Sequence, residues 1–186
     1  MQIIPCYWSG SSISVRRSAE VGLSRDKVTD ARRGPPGRAE EIEVKPAFRE
    51  AFQRRRCLVP LDNFYEWKKT PTGKQPYAIA LADRRLMAMA GLWETWRSPA
   101  GERVRSFTIV TTTPNELCAD LHNRMPVVLK PQAWPVWLGE QPATAPELKA
   151  LLAPYPGDDM ICWPVSARVG NVRNNDPGLI EPIAVQ

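Results

Sequence analysis

The sequence predicts an α+β domain, built mainly on antiparallel sheet with short flanking helices, and three observations lead there. From residue 57 onward, apolar and β-branched runs of strand length alternate with polar turns. Helical spacing is confined to short stretches, and the 19 prolines favour loops and strand ends over a helical bundle. A chain of 186 residues that is 43% hydrophobic and 24% charged has enough apolar side chain for one sizeable core.

Residues 1–186 are expected to form a single domain, within which 11–37 is an irregular basic arm or loop. From Arg16 to Arg38 the sequence has little apolar periodicity, and it ends in Arg32-Arg33-Gly34-Pro35-Pro36-Gly37. Lys45 to Arg56 sets Phe48 and Phe52 on one face with charges opposite, which is the pattern of a short amphipathic helix; Pro46 is tolerated near its start. Cys57-Leu58-Val59-Pro60 and then Asn63 to Trp67 read as extended, Lys68 to Gln75 as a polar turn, and Tyr77 to Leu81 as a further strand. Leu86 to Trp96 is apolar enough for a central strand, with Gly91 suggesting a bulge. Ser106 to Thr113 is β-branched and aromatic, a strand by composition. Pro114-Asn115 starts a short helix ending near Asp120, with His122 just beyond it. Val127 to Leu129 suits a short strand, Pro131 to Leu138 and Ala145 to Leu152 suit helices, and Ile161 to Val165 suits a last strand.

The formal charge of +5 and a pI near 9.2 make an acidic polymer a plausible partner. The four cysteines have no CxxC spacing and the single histidine cannot complete a ligand set, so no metal or other cofactor is expected. Cys57, Cys118 and Cys162 lie among apolar residues, as free thiols of a reducing compartment do. No run reaches the length of a membrane-spanning helix and no secretory signal opens the chain; a cytoplasmic monomer is the expectation.

His122 carries the one side chain whose ordinary pKa suits proton transfer near neutrality, and it could equally be a structural imidazole satisfied by backbone. Glu66, between Tyr65 and Trp67, is either a general acid or base with a raised pKa or a solvated carboxylate paired to Lys68 or Lys69. Arg124 offers a guanidinium to phosphate or to a surface salt bridge. Of the seven tryptophans, Trp8 and Trp67 are better placed to stack on exposed bases than Trp134 and Trp137, whose helical setting suits core packing.

Several segments occur together and in order: Lys45-Pro46-Ala47-Phe48-Arg49, Arg55-Arg56-Cys57-Leu58-Val59-Pro60, Phe64-Tyr65-Glu66-Trp67, Ala90-Gly91-Leu92-Trp93, Thr111-Thr112 and His122-Asn123-Arg124-Met125-Pro126. Pro164-Val165-Ser166 and Gly170-Asn171-Val172-Arg173-Asn174 complete the set. From about Arg38 to Pro182 the chain resembles the SRAP family, the SOS-response-associated proteins that process abasic sites in single-stranded DNA. The resemblance implies a barrel-like sheet, single-stranded DNA with abasic sites as partner, and covalent DNA–protein crosslinking, with peptidase (hydrolase) or lyase activity as further family labels. Family members use an N-terminal Cys, whose amine and thiol condense with the ring-opened aldehyde into a thiazolidine. The glutamate and histidine that assist by proton transfer map onto Glu66 and His122. The DNA-contacting positions map onto Arg38, Trp8, Thr111 and Arg124.

The chain departs from the family pattern at its start. It opens Met1-Gln2-Ile3, and Cys6 has its amine in a peptide bond, so it cannot supply both groups of a thiazolidine. The family's active-site Asn falls on Pro36, and residues 11–37 do not follow the pattern. A truncated, mis-started or frame-disturbed reading, or a degenerate paralogue, is the expectation. Two further readings follow: a non-catalytic binder of single-stranded DNA on the same fold, and a Cys–His hydrolase using Cys6 and His122.

Overall fold

Alternation along the strands sorts the protein into layers, because successive side chains point to opposite faces of a sheet. The computed structural model describes residues 37–101, 103–171 and 173–184. In chain order the elements are β1 (Gly37–Arg38), α1 (Pro46–Arg54), β2 (Arg56–Leu61), β3 (Phe64–Thr70), β4 (Gly73–Leu81), β5 (Met87–Arg97) and β6 (Arg103–Thr112). There follow α2 (Glu116–Ala119), β7 (Met125–Pro126), β8 (Val128–Leu129), α3 (Trp134–Leu138), α4 (Ala145–Ala150) and β9 (Met160–Pro164), with short 3-10 turns between and after them.

One sheet runs β1-β6-β5-β2, with β7 added to β6 and β8 to β5; the other runs β3-β4-β9. All pairings between these strands are antiparallel except β1 with β6. The two sheets do not close into a barrel. Their facing sides enclose one core, in which Leu61, Met87, Met89 and Ile109 of the larger sheet meet Phe64, Ile79 and Met160 of the smaller. The opposite face of the larger sheet, through Ala90, Leu92 and Val110, packs under the helices on Phe52, Trp137 and Leu148. The outer face of the smaller sheet is covered by Val169 and Leu179 of the C-terminal turns.

Several sequence expectations shift in detail. The Lys68 to Gln75 turn contracts to Pro71–Thr72, since β3 and β4 stay paired out to Thr70 and Gly73, where Gly73 takes a φ of 148°. Gly91 is no bulge. It pairs regularly with Cys57 on one side and Ile109 on the other, and a Cβ there would lie 2.8 Å from Cys57 Sγ. The helix expected to reach Arg56 stops at Arg54, and Arg56 opens β2. Its guanidinium turns back to donate to the carbonyls of Phe52, Gln53 and Trp137, capping the ends of α1 and α3 together. Residues 11–36 of the expected basic arm lie outside the described residues, and Gly37 is the first residue of β1.

Candidate active site

The site lies where the core between the sheets reaches the surface. Glu66 shares a face of β3 with Phe64, which is fully buried in that core, so the alternation that packs Phe64 also turns the carboxylate inward. Glu66 is only 2% exposed. Burial raises its pKa above the usual carboxylate range, and the nearby charge of His122 partly offsets this. A solvated carboxylate paired to a lysine is therefore not what the fold makes of this residue.

His122 lies near enough for its charge to act on the Glu66 carboxylate. Asn115 caps α2 by accepting from the Cys118 backbone N–H, 2.9 Å away, and donates from its amide to the Tyr155 carbonyl at 2.7 Å. Leu121 then anchors the chain in the core and leaves His122 exposed at the lip. The imidazole Nδ1 lies 3.2 Å from both the backbone N–H and the carbonyl oxygen of Arg124. A neutral ring can accept there, and a protonated ring can donate there. In either state Nε2 is left to the open side.

Thr111 and Arg38 come from adjacent strands. Arg38 of β1 registers with Thr111 of β6, and Thr111 also registers with Pro126 of β7. The two partners therefore flank β6 on opposite edges. Arg124 reaches across this ridge. Its Nη1 donates to Glu40 Oε1 at 2.7 Å and its Nη2 to Glu40 Oε2 at 3.0 Å, while Nη2 also donates to the Thr111 carbonyl at 2.6 Å. Thr111 itself is buried at 5% exposure, forming a floor. The Arg124 hydrogen bond is the main cause holding Glu40 below the usual carboxylate range, with Arg38 adding to it. Arg38 is exposed, and its side chain makes no hydrogen bond or ion pair among the described residues.

Arg38, Thr111, Arg124, His122 and Glu66, scattered from residue 38 to residue 124, are thus linked pairwise, by strand register, by hydrogen bonds and by the influence of the His122 charge on Glu66. Trp67 is half-buried against the outer core of the smaller sheet. Trp8, Cys6 and Pro36 lie outside the described residues. Sequence reasoning missed Glu40, whose signal was only its position two residues beyond Arg38.

Among the described residues the three thiols, Cys57, Cys118 and Cys162, are all shifted away from the reactive thiolate form; Cys6 lies outside the described residues. Burial pushes Cys57 up to about 11. Burial, with help from the Glu66 carboxylate and Cys162, pushes Cys118 up to about 12. Cys162 is raised as well, again chiefly by burial. Among the described residues there is no cluster of three or more metal-ligating side chains, and no helix is long and apolar enough to cross a membrane.

Comparison with known proteins gives a consistent set. The family model for the SOS response associated peptidase (SRAP) matches residues 22–172. Over 145 residues the chain is 44% identical to the abasic site processing protein YoqW of Bacillus subtilis, an alignment that covers 77% of this chain and 65% of that protein. It is 32% identical over 148 residues to the abasic site processing protein YedK of Escherichia coli, covering 78% and 66%. Against HMCES of Gallus gallus, another abasic site processing protein, identity is 33% over 149 residues, covering 69% and 44%. A crystal structure of a Bacteroides thetaiotaomicron protein superposes with a TM-score of 0.74 at 28% identity, over 80% of this chain and 65% of that one. The chain spans about 65% of the length of the Bacillus relative it matches.

Proposed function

The chain belongs to the SRAP family, and from that membership and the site geometry we propose that it processes abasic sites in single-stranded DNA. The observation that carries the reading is a buried carboxylate with a raised pKa near a surface imidazole, with one arginine on β1 and another just before β7 close by. Carboxylate and imidazole are a proton-transfer pair, and the cationic rim suits the phosphates on either side of a damaged nucleotide.

An abasic sugar is a cyclic hemiacetal. Opening it breaks the bond between C1′ and the ring oxygen, takes a proton from the C1′ hydroxyl and delivers one to the departing ring oxygen. In this reading Glu66 removes the hydroxyl proton and His122 Nε2–H supplies the other. The exposed aldehyde then condenses with an amine and a thiol on one residue. A C–N and a C–S bond form, the carbonyl oxygen leaves as water, and the product is a thiazolidine. A cysteine with a free α-amine supplies both groups, which Gln2 does not. Arg38 and Arg124 would hold the strand, with Thr111 beneath it.

The test is a denaturing gel with a single-stranded oligonucleotide carrying one abasic site. It compares the wild-type chain with Gln2→Cys after removal of the initiator methionine. The expected result is a denaturation-resistant adduct with Gln2→Cys, lost when Glu66→Gln or His122→Ala is added. Adduct formation at undiminished rate in both added variants overturns the assignment of the proton-transfer pair. No adduct from either chain, with single-strand binding retained, favours the non-catalytic reading of the same fold.

A further inference from the structure

The Arg124 guanidinium is bound on two sides, and this separates its role from that of Arg38. Its terminal nitrogens bridge both Glu40 carboxylate oxygens and the Thr111 carbonyl, and its side chain is 20% exposed. Its Nε is buried without a partner among the described residues. The Thr111 carbonyl also accepts the Ala39 backbone N–H at 2.9 Å, so the segment carrying Glu40 and the side chain of Arg124 converge on one acceptor. Glu40 follows β1 and Arg124 precedes β7, on opposite edges of β6. The fork therefore ties together two edge segments that are 84 residues apart in sequence. A bidentate carboxylate–guanidinium pair restricts orientation as well as distance. What it orients is the residue whose backbone holds His122 Nδ1.

We propose that Glu40 is a positioning residue of this site: by locking Arg124 over Thr111 it fixes the backbone clasp that holds the His122 ring with Nε2 directed outward. The proposal rests on the reading of His122 as a proton-transfer group, and it assigns the fork a purpose other than binding phosphate. Glu40 touches neither the strand nor the reacting atoms. Its effect passes through Arg124.

The presence of a single histidine makes the test direct, because a protein labelled with ¹⁵N at its imidazole gives signals from His122 alone. With the ring neutral, Nδ1 accepting from the Arg124 N–H requires the Nε2–H tautomer, and the wild-type spectrum is expected to show that form alone. Glu40→Gln keeps the shape and removes the charge of the fork. The expected result is loss of the single-tautomer signature, with both ring nitrogens moving towards averaged positions; Glu40→Asp is expected to restore part of it. Arg124→Lys tests the same link from the other end and should give the Glu40→Gln spectrum. Thr144→Ala removes a remote helix cap, so it should lower the melting temperature and leave the imidazole signals where they are. A folded Glu40→Gln or Arg124→Lys protein with the wild-type imidazole spectrum overturns the proposal, as does a wild-type ring in the Nδ1–H form. The spectrum is recorded without DNA, so failure of the abasic-site reaction leaves this result standing, and a negative result here leaves that reaction untouched.

Discussion

Replacing Arg38 and Arg124 in turn by alanine should separate a residue that only meets the strand from one that also holds the fold. Arg38→Ala removes an unpaired cation and should flatten the dependence of log K on log salt by about 0.7 for single-stranded DNA, whereas Arg124 is already paired with Glu40 and its loss should flatten it by less. The stability cost differs. The Arg38 side chain has no hydrogen bond or ion pair to lose among the described residues, so the melting temperature of Arg38→Ala should stay within about 1 °C of wild type. Arg124 loses a charge-assisted bond of 2.6 Å to the Thr111 carbonyl in a half-buried setting, about 1.5 kcal/mol. It also loses a fork to a Glu40 side chain that is 46% exposed; after discounting for solvent screening this contributes about 0.5 kcal/mol. Together about 2 kcal/mol corresponds to a melting temperature lower by roughly 4–8 °C in a chain of this length. The Glu40 part has a pH signature. Its folded-state pKa lies below the ordinary 4.5, so that contribution is present above about pH 4.5 and is lost as pH falls through the folded value. The gap between wild type and Arg124→Ala should therefore narrow in acid. Fluorescence anisotropy across a salt series and thermal melts across pH read both quantities. An unchanged salt slope for Arg38→Ala would move the strand elsewhere. A melting temperature for Arg124→Ala equal to that of Arg38→Ala would refute the account of the fork.

Glu66→Gln should stabilise the protein at pH 8 and make little difference near pH 4. The raised folded-state pKa means the unfolded chain releases that proton first, so wild type loses stability as pH rises from about 4.5 through the folded value. A difference in melting temperature that does not vary with pH would contradict the burial argument. Arg56→Met keeps the apolar stem over Trp137 but leaves the Trp137 carbonyl and the α1 carbonyls without their donor, and urea unfolding should show a loss of about 2–3 kcal/mol. A loss under about 0.5 kcal/mol would mean that water replaces the guanidinium freely. Gly91→Ala places a methyl 2.8 Å from Cys57 Sγ and 3.3 Å from the Cys57 carbonyl, which should cost about 1–3 kcal/mol by chemical denaturation. Adding Cys57→Ala should recover part of it, and no recovery would place the clash on the backbone.

Much of the fold was legible because its signals are local. Phe48 and Phe52 recur at helical spacing, and α1 forms under them. The run from Ser106 to Thr113 is β-branched, and β6 occupies most of it. Pro114-Asn115 marks a helix start, and Asn115 caps the helix that delivers His122. Arg56 was misread for the same reason. A basic residue at the end of a charged run looks like solvated surface, and nothing in its neighbours says that two helix ends will converge on it. Gly91 shows the converse: a glycine inside a strand suggested a bulge, whereas the cause is a neighbouring strand whose Cys57 leaves no room for a Cβ.

By itself the sequence determined where most of the longer strands and helices form, and the ordered motifs that mark an SRAP protein. It also singled out Glu66, His122, Arg38, Thr111 and Arg124 as residues to examine. Only the tertiary structure decided that Glu66 is buried, that β1 lies parallel to β6 and sets Arg38 beside Thr111, and that Glu40 occupies the guanidinium of Arg124. Side-chain periodicity specifies a surface to be covered, but not which distant segment covers it. Desolvation and ion pairing depend on that covering segment, so the electrostatics of the site appear only when the layers close.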